Sequence, residues 1–384
     1  MTTATVSALV ACSADAASKA SSDESEVKER EDLFDKTTAL DMRVSAPFVT
    51  LFERFNQNKA DPPVPDAKPG EPEFSEPAEV TLPDADGKGT TKTFNARVFV
   101  RGESSKHDCP FLKLKVEFAD KEALKGTVLK GHSKFRINTH CGPGDENARS
   151  RMGRIQNGVG PVREDLIYRL IRASDVPTYM TRVTKVSYVD TAAKTTIDTF
   201  GMIMESGDDA AQRFAKEKII EEDGEYLDPN TARGTTTPEN DAKIIVSEAL
   251  AGNRDFWVGG THNLDSFGKP GAATMFKIPE DFDLCAITTA NAPNWTGPVE
   301  NASQGLKTAG IAAHFAKQKA NMEAALDKAE KEGIAAKALP SADGKTTTDP
   351  GFKVARERLA KLFQLPELVN VAPAPDAGAD AAND

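Results

Sequence analysis

The stretch from Gly252 to Leu284 gathers the side chains best suited to chemistry. Asn253-Arg254-Asp255 comes first, Asn263 stands eight residues beyond Asp255, and a β-like run from Thr274 to Ile278 leads into Asp281-Phe282-Asp283. Carboxylate and amide oxygens are the ligands a hard ion such as Mg²⁺ prefers, and an aspartate that holds no metal can orient an acceptor hydroxyl. Phosphoryl transfer asks for little more: phosphates held in place, one or two divalent ions, and a nucleophile in line. Plainer readings exist for each piece. Asp281-Phe282-Asp283 also suits a turn around a core phenylalanine, and Asn253-Arg254-Asp255 suits a helix end followed by a turn.

Phosphates need a cation as well. FLKLKVEF (111–118) alternates as a strand does, which puts Lys113 and Lys115 on one face. In PVREDLIYRLIRA (161–173), Val162, Leu166, Ile167, Leu170 and Ile171 recur at helical spacing behind Pro161, a residue suited to a first turn. Glu164 on that helix could pin one of the lysines. The plain alternatives are a solvent-facing strand edge for the lysines and a first-turn acid favoured by the helix dipole for Glu164.

Elements must hold these residues in place. FNARVFVRG (94–102), FLKLKVEF, KFRIN (134–138), TRVTKVSYVD (181–190) and TTIDTFGMIME (195–205) read as strands. Helices follow at 241–253, 309–333 and 352–363. Sheet first with one helix, then a helical half, predicts an α+β layout. It divides into a β-rich N-lobe over about residues 31–206 and a helical C-lobe over about 207–365, joined by a hinge near Glu205-Ser206-Gly207. Seven prolines between Pro62 and Pro83 predict an extended surface loop over 60–88. Residues 1–30 and 366–384 are small, polar or proline-rich, and predict a tether and a disordered tail.

Taken in order, these stretches resemble the CotH kinases, atypical protein kinases related to a spore-coat protein. Arg101-Gly102-Glu103-Ser104-Ser105 resembles the family's RGxSS stretch, FLKLKVEF its following strand, and PVREDLIYRLIRASDVP its helix. FGMIMES resembles the strand before the hinge, and NRD…N…DFD the catalytic half, so the likeness covers roughly residues 90–290. It implies a two-lobed protein-kinase-like fold that transfers phosphate from ATP, with Mg²⁺ or Mn²⁺, to a hydroxyl of a protein at the cell surface. By resemblance Asp255 is the catalytic aspartate, Asn263 and Asp281 hold metal with Asp283 a second candidate, and Lys113 or Lys115 reaches the phosphates. Glu164 and Arg101 support the nucleotide. The alternatives are a catalytically silent adhesion or scaffold module, and transfer of a nucleotidyl rather than a phosphoryl group.

The remaining signals concern compartment and partners. The chain has 384 residues, 39% hydrophobic and 28% charged, with a formal net charge of −11. That balance is ordinary for a globular protein and argues against a broad nucleic-acid surface, which needs clustered Lys and Arg. Leu9-Val10-Ala11-Cys12 fits a bacterial lipobox, although only eight residues without Lys or Arg precede it. It predicts an exported protein, lipid-anchored through Cys12 or extracellular, against the plainer reading of a frayed leader. If 111–118 and 133–140 pair antiparallel, Cys109 and Cys141 face each other, which suits a disulfide in an oxidising compartment. A zinc site with His107 and His140, or two part-buried thiols, are the other readings.

Overall fold

The computed structural model describes residues 33–34, 37–56, 74–83, 90–102, 107–125, 127–145, 147–227, 232, 234–260, 262–290, 296–332 and 349–371. Cys12, the leader, Glu103-Ser104-Ser105, most of the proline-rich stretch and the tail beyond 371 lie outside them.

Strands β1 (Leu40–Ala46), β2 (Ser75–Pro83), β3 (Thr91–Arg101), β4 (Lys113–Phe118), β5 (Lys134–Asn138), β6 (Thr181–Asp190) and β7 (Thr195–Glu205) form one sheet. It closes on itself in the order β1-β2-β3-β4-β5-β7-β6. Every seam is antiparallel except the last, where β1 runs parallel to β6 from Leu40 opposite Thr184 to Ala46 opposite Asp190. Alternation selects the lining: Val44, Val80, Val98, Leu114, Val116, Ile137 and Val186 are buried together in one apolar cluster. Helix α1 (Phe48–Asn56) follows β1 and adds buried Phe48 and Leu51 to that cluster.

Helix α3 (Val159–Ala173) packs between the barrel and the helices that follow β7; a single turn, α2 (Lys121–Leu124), precedes it. All residues from Val159 to Ile171 are buried, charged ones included. Its apolar side chains join a second core with α4 (Gly207–Lys216), α5 (Pro238–Ala251), α8 (Ile311–Glu332) and α9 (Pro350–Leu362). Two of its arginines are neutralised in place, as burial requires. Arg163 grips Asp349 through Nε and Nη2 at 2.8 Å each. Arg169 reaches Asp165 and Glu332, both at 2.6 Å. A small sheet, β10 (Phe276–Pro279), β9 (Leu264–Gly268) and β8 (Glu225–Leu227), sits in this half beside the short helices α6 (Ala286–Thr289) and α7 (Ala302–Leu306). The described chain ends with a helical turn, α10 (Pro366–Val369), whose Leu368 is buried.

The expectation of a two-lobed protein-kinase-like fold, with a β-rich N-lobe and a helical C-lobe, is overturned. The sheet is a closed seven-stranded barrel, and the described residues form one compact unit with it. Closure depends on β1 and β2, which the alternation reading passed over. β2 occupies part of the stretch read as an extended surface loop. Pro77 and Pro83 fit it because its outer positions are part-exposed. The second half is also not purely helical, since it carries the three-stranded sheet. The segment read as a hinge is held firmly: Glu205 is buried and paired with Arg213, Ser206 caps α4, and a Cβ on Gly207 would lie 2.5 Å from the Tyr226 ring.

Candidate functional site

Three neighbouring strands set the first row of side chains. Arg101 on β3 is in register with Lys113 on β4. The β4–β5 register runs Leu114 opposite Ile137, so the next step places Asn138 beside Lys113. All three point away from the barrel lining, toward α3 and the helical half. Arg101 Nη1 donates to Asn138 Oδ1, and Asn138 Nδ2 donates to Glu164 Oε1 at 2.8 Å. Glu164 projects from the second turn of α3 and is buried.

Asp281-Phe282-Asp283 approaches this row from the other side. Phe282 is fully buried against Tyr168 of α3, with ring centroids 5.2 Å apart. That anchor leaves the flanking carboxylates at the junction. Asp281 takes a left-handed backbone, φ 59°, which aspartate tolerates better than most residues. Lys113 Nζ, on a side chain 8% exposed, lies 2.6 Å from Asp281 Oδ1 and 2.9 Å from Asp283 Oδ2. Asp283 also accepts from Arg154 Nε at 2.7 Å, and Arg154 Nη1 reaches Asp108 at 3.0 Å.

The electrostatics follow from this packing. Burial opposes the Lys113 charge, but Asp281 and Asp283, then Glu164, outweigh it and raise the lysine pKa. Burial likewise works against ionised Asp281, yet Lys113 and Arg154 hold its carboxyl down to about 2. Glu164 goes the other way. Burial pushes it up to about 7, reinforced by Asp283 and Asp281 and only partly countered by Lys113. Asp281 is therefore held ionised while the Glu164 carboxyl beside it titrates near neutrality.

Asp255 and Asn263 form a second group, organised by a tight loop. Helix α5 ends at Gly252 in the left-handed region, φ 78°, and the Asn253 amide bonds back to Glu248 O at 2.9 Å. Asn253 Oδ1 accepts from the Asp255 amide at 2.9 Å, Asn263 Nδ2 donates to Asp255 O, and His262 Nε2 lies 2.9 Å from Asp255 Oδ1. Lys277 Nζ holds the loop from beneath through Gly260 O at 2.8 Å. Asn263 O accepts from the Glu280 amide at 3.0 Å, which sets this loop beside Asp281. Under it, Glu248 is fully buried with neither oxygen hydrogen-bonded, although the Asn253 amide is a neighbour. Burial pushes its carboxyl well up, helped by Asp255 and Asp281.

Of the residues singled out from sequence, the fold thus brings Lys113, Glu164, Asp281 and Asp283 into one cluster, with Arg101 linked through Asn138. Asp255 and Asn263 share the adjoining loop. Lys115 is elsewhere: its ammonium sits 3.1 Å from Glu117 and 4.3 Å from the centre of the Phe99 ring. Arg154, Asn138, His262 and Glu248 were missed. Asn138 was recoverable from the strand register, whereas Arg154 lies in an irregular segment whose basic residues carry no periodic signal. A further network beside the site was missed as well. Arg136 reaches Asp265 at 3.3 Å and Glu280 at 3.1 Å and stacks 4.0 Å over the Tyr179 ring. Burial, then Asp265, raises Glu280 to about 8 against the pull of Arg136.

Two carboxylates converging on one ammonium are chemically able to hold a hard divalent cation. Among the described residues, no group of three His, Cys, Asp or Glu side chains gathers closely enough to form a metal cage on its own. The cavity beside Lys113, between the disulfide, Glu164 and Asp283, is about 20 Å³. Cys109 and Cys141 are joined in a disulfide, which excludes the zinc and free-thiol readings for that pair. No family model matches this chain, and no curated protein matches it.

Proposed function

We propose that the junction between barrel and helices is a phosphotransferase site that takes ATP as donor and a protein hydroxyl as acceptor. The observation that carries this reading is the convergence of Asp281 and Asp283 on buried Lys113, with Glu164 behind it. An ammonium confined among carboxylates is poised to exchange them for phosphate oxygens when a divalent cation takes over the acids. Asp281 and Asp283, with the Asn263 carbonyl-amide oxygen close by, would hold that cation, which would neutralise charge on the transferring group. Glu164 and Asn138 would keep Lys113 and Arg101 in place. Asp255, pre-set by Asn253, Asn263 and His262, would accept the acceptor proton as its oxygen bonds to the γ-phosphorus and the bond to the ADP oxygen breaks. The order of motifs resembling the CotH kinases supports the same reading. The disulfide favours an oxidising compartment, and with it an exported protein acting on a surface partner. Among the described residues, no helix is long and apolar enough to cross a membrane.

A second reading has an observation of its own. A cavity of about 20 Å³ is far below the ~300 Å³ at which sites for ligands of nucleotide size begin, and Lys113 is already neutralised. A silent scaffold would keep this closed, self-satisfied ion cluster. Incubation with γ-labelled ATP and Mg²⁺ separates the two. The enzyme reading expects labelled protein product, lost in Asp255→Ala while ATP still binds. Equal label in wild type and Asp255→Ala rejects the assignment of Asp255, and no ATP binding at all favours the scaffold.

A further inference from the structure

The barrel carries a second concavity, away from Lys113, with a volume of about 200 Å³. That exceeds the ~150 Å³ apolar cavity that accommodates a benzene ring. Phe48 and Phe52 of α1, Phe111 ahead of β4, and Tyr188 and Asp190 of β6 line it. The rings form one cluster: Phe52 to Phe111 is 5.1 Å, Phe48 to Phe111 5.5 Å, Phe111 to Tyr188 4.6 Å and Phe48 to Tyr188 5.6 Å between centroids. Pro110, next to Cys109, and Pro143, two residues past Cys141, join the wall and tie it to a covalent cross-link.

Asp190 is the unusual member. It is 6% exposed, and its oxygens accept from the backbone amides of Val49 at 2.6 Å, Ala192 at 2.8 Å and Ala193 at 2.7 Å. Among the described residues, no Lys, Arg or His forms an ion pair with it. The backbone donors fix its orientation and supply no counter-ion. Aromatic rings and a carboxylate without a cationic partner, lining one cavity, favour a cation carrying apolar substituents. A bare metal ion would want more oxygen ligands than Asp190 offers. A neutral apolar guest would seal the carboxylate away from water with amide donors but no counter-charge.

We propose that this pocket binds a small organic cation of the quaternary-ammonium class, with its alkylated nitrogen against the wall formed by Phe48, Phe52, Phe111 and Tyr188 and with Asp190 as counter-charge. The protein's net charge of −11 draws such ligands in. This site is independent of the phosphotransferase reading and does not share its residues.

The test is calorimetric titration of the full chain with choline and with its neutral isostere, 3,3-dimethylbutan-1-ol. Choline is expected to bind at least about tenfold more tightly than the isostere. Phe52→Ala, at a part-exposed rim position, is expected to weaken choline at least about fivefold, and Asp190→Asn to bring choline and isostere close to parity. No choline binding, equal binding of both probes by the wild type, or unchanged choline affinity in Phe52→Ala would each overturn the proposal. The wild-type and Phe52→Ala measurements decide it even if Asp190→Asn does not fold. Co-sedimentation with phosphatidylcholine vesicles but not phosphatidylglycerol vesicles would assign the cation to a lipid headgroup. Binding of free choline without vesicle binding would assign it to a soluble molecule.

Discussion

Replacing Lys113 with methionine keeps the unbranched stem, one atom shorter, and removes the charge at the centre of the ion cluster. Removing one partner of a buried pair costs about 3–5 kcal/mol. Two features move this case to the lower end: Asp283 retains Arg154 at 2.7 Å, and the Asp281 side chain keeps 29% of its surface for rehydration. Linkage gives a second figure. Asp281 is held at about 2 against an ordinary 3.8, which corresponds to about 2 kcal/mol. Lys113 is the largest of the cations that oppose burial there, so its removal should cost about 2–3 kcal/mol. The pH sign is fixed as well. A depressed folded-state pKa contributes stability above the ordinary value and loses it as pH falls through the folded one, so the effect should fade between about pH 4 and pH 2. Urea unfolding of wild type, Lys113→Met, Asp281→Asn and the double variant measures the coupling directly. A coupling near 2 kcal/mol at pH 7 that shrinks toward pH 2 is expected. A coupling below about 0.5 kcal/mol at pH 7, or one indifferent to acid, would refute the reasoning.

Three further outcomes follow from particular contacts. Glu164 sits at about 7 against an ordinary 4.5, so the stability held by its protonated form is full below about pH 4.5 and lost as pH rises through 7, amounting to about 3 kcal/mol. Glu164→Gln should flatten that part of the stability–pH curve in urea titrations, whereas an unchanged slope would contradict the burial argument. The Cys109–Cys141 disulfide spans a sequence separation of 32, worth about 3–4 kcal/mol in chain entropy, and a Cys109→Ser, Cys141→Ser variant should show a correspondingly lower Tm. Gly207→Ala places a Cβ about 2.5 Å from the Tyr226 ring and should cost about 1–3 kcal/mol in denaturant unfolding.

Period-two alternation in the sequence located β5, β6 and β7 to the residue, although the start of β6 and the end of β7 are buried on both faces. β1 alternates just as cleanly, but in sequence it borders an apolar cluster that continues into α1 and blurs the period. β2 was hidden by its prolines, which an outward-facing strand position tolerates. Barrel closure itself was not legible, since it depends on the parallel β1–β6 seam between segments about 140 residues apart. Local sequence carries no record of such a pairing. At the site, Lys113 and Lys115 are equivalent by spacing. Only the approach of Asp281 and Asp283 to the near end of β4 distinguishes them, and that approach is set by where Phe282 docks on α3. The cysteine pairing was legible because the β4–β5 register holds close to the expected sum, with Lys115 opposite Arg136.

Calorimetric binding of Mg²⁺-ATP to wild type and to Asp281→Ala tests the proposed site most directly. The account predicts saturable binding to the wild type that requires the divalent ion and is lost or greatly weakened in Asp281→Ala. It also predicts stabilisation of the wild-type fold by about 2.7 kcal/mol at one hundred times the dissociation constant. Identical heats for both proteins, or none for either, would contradict it.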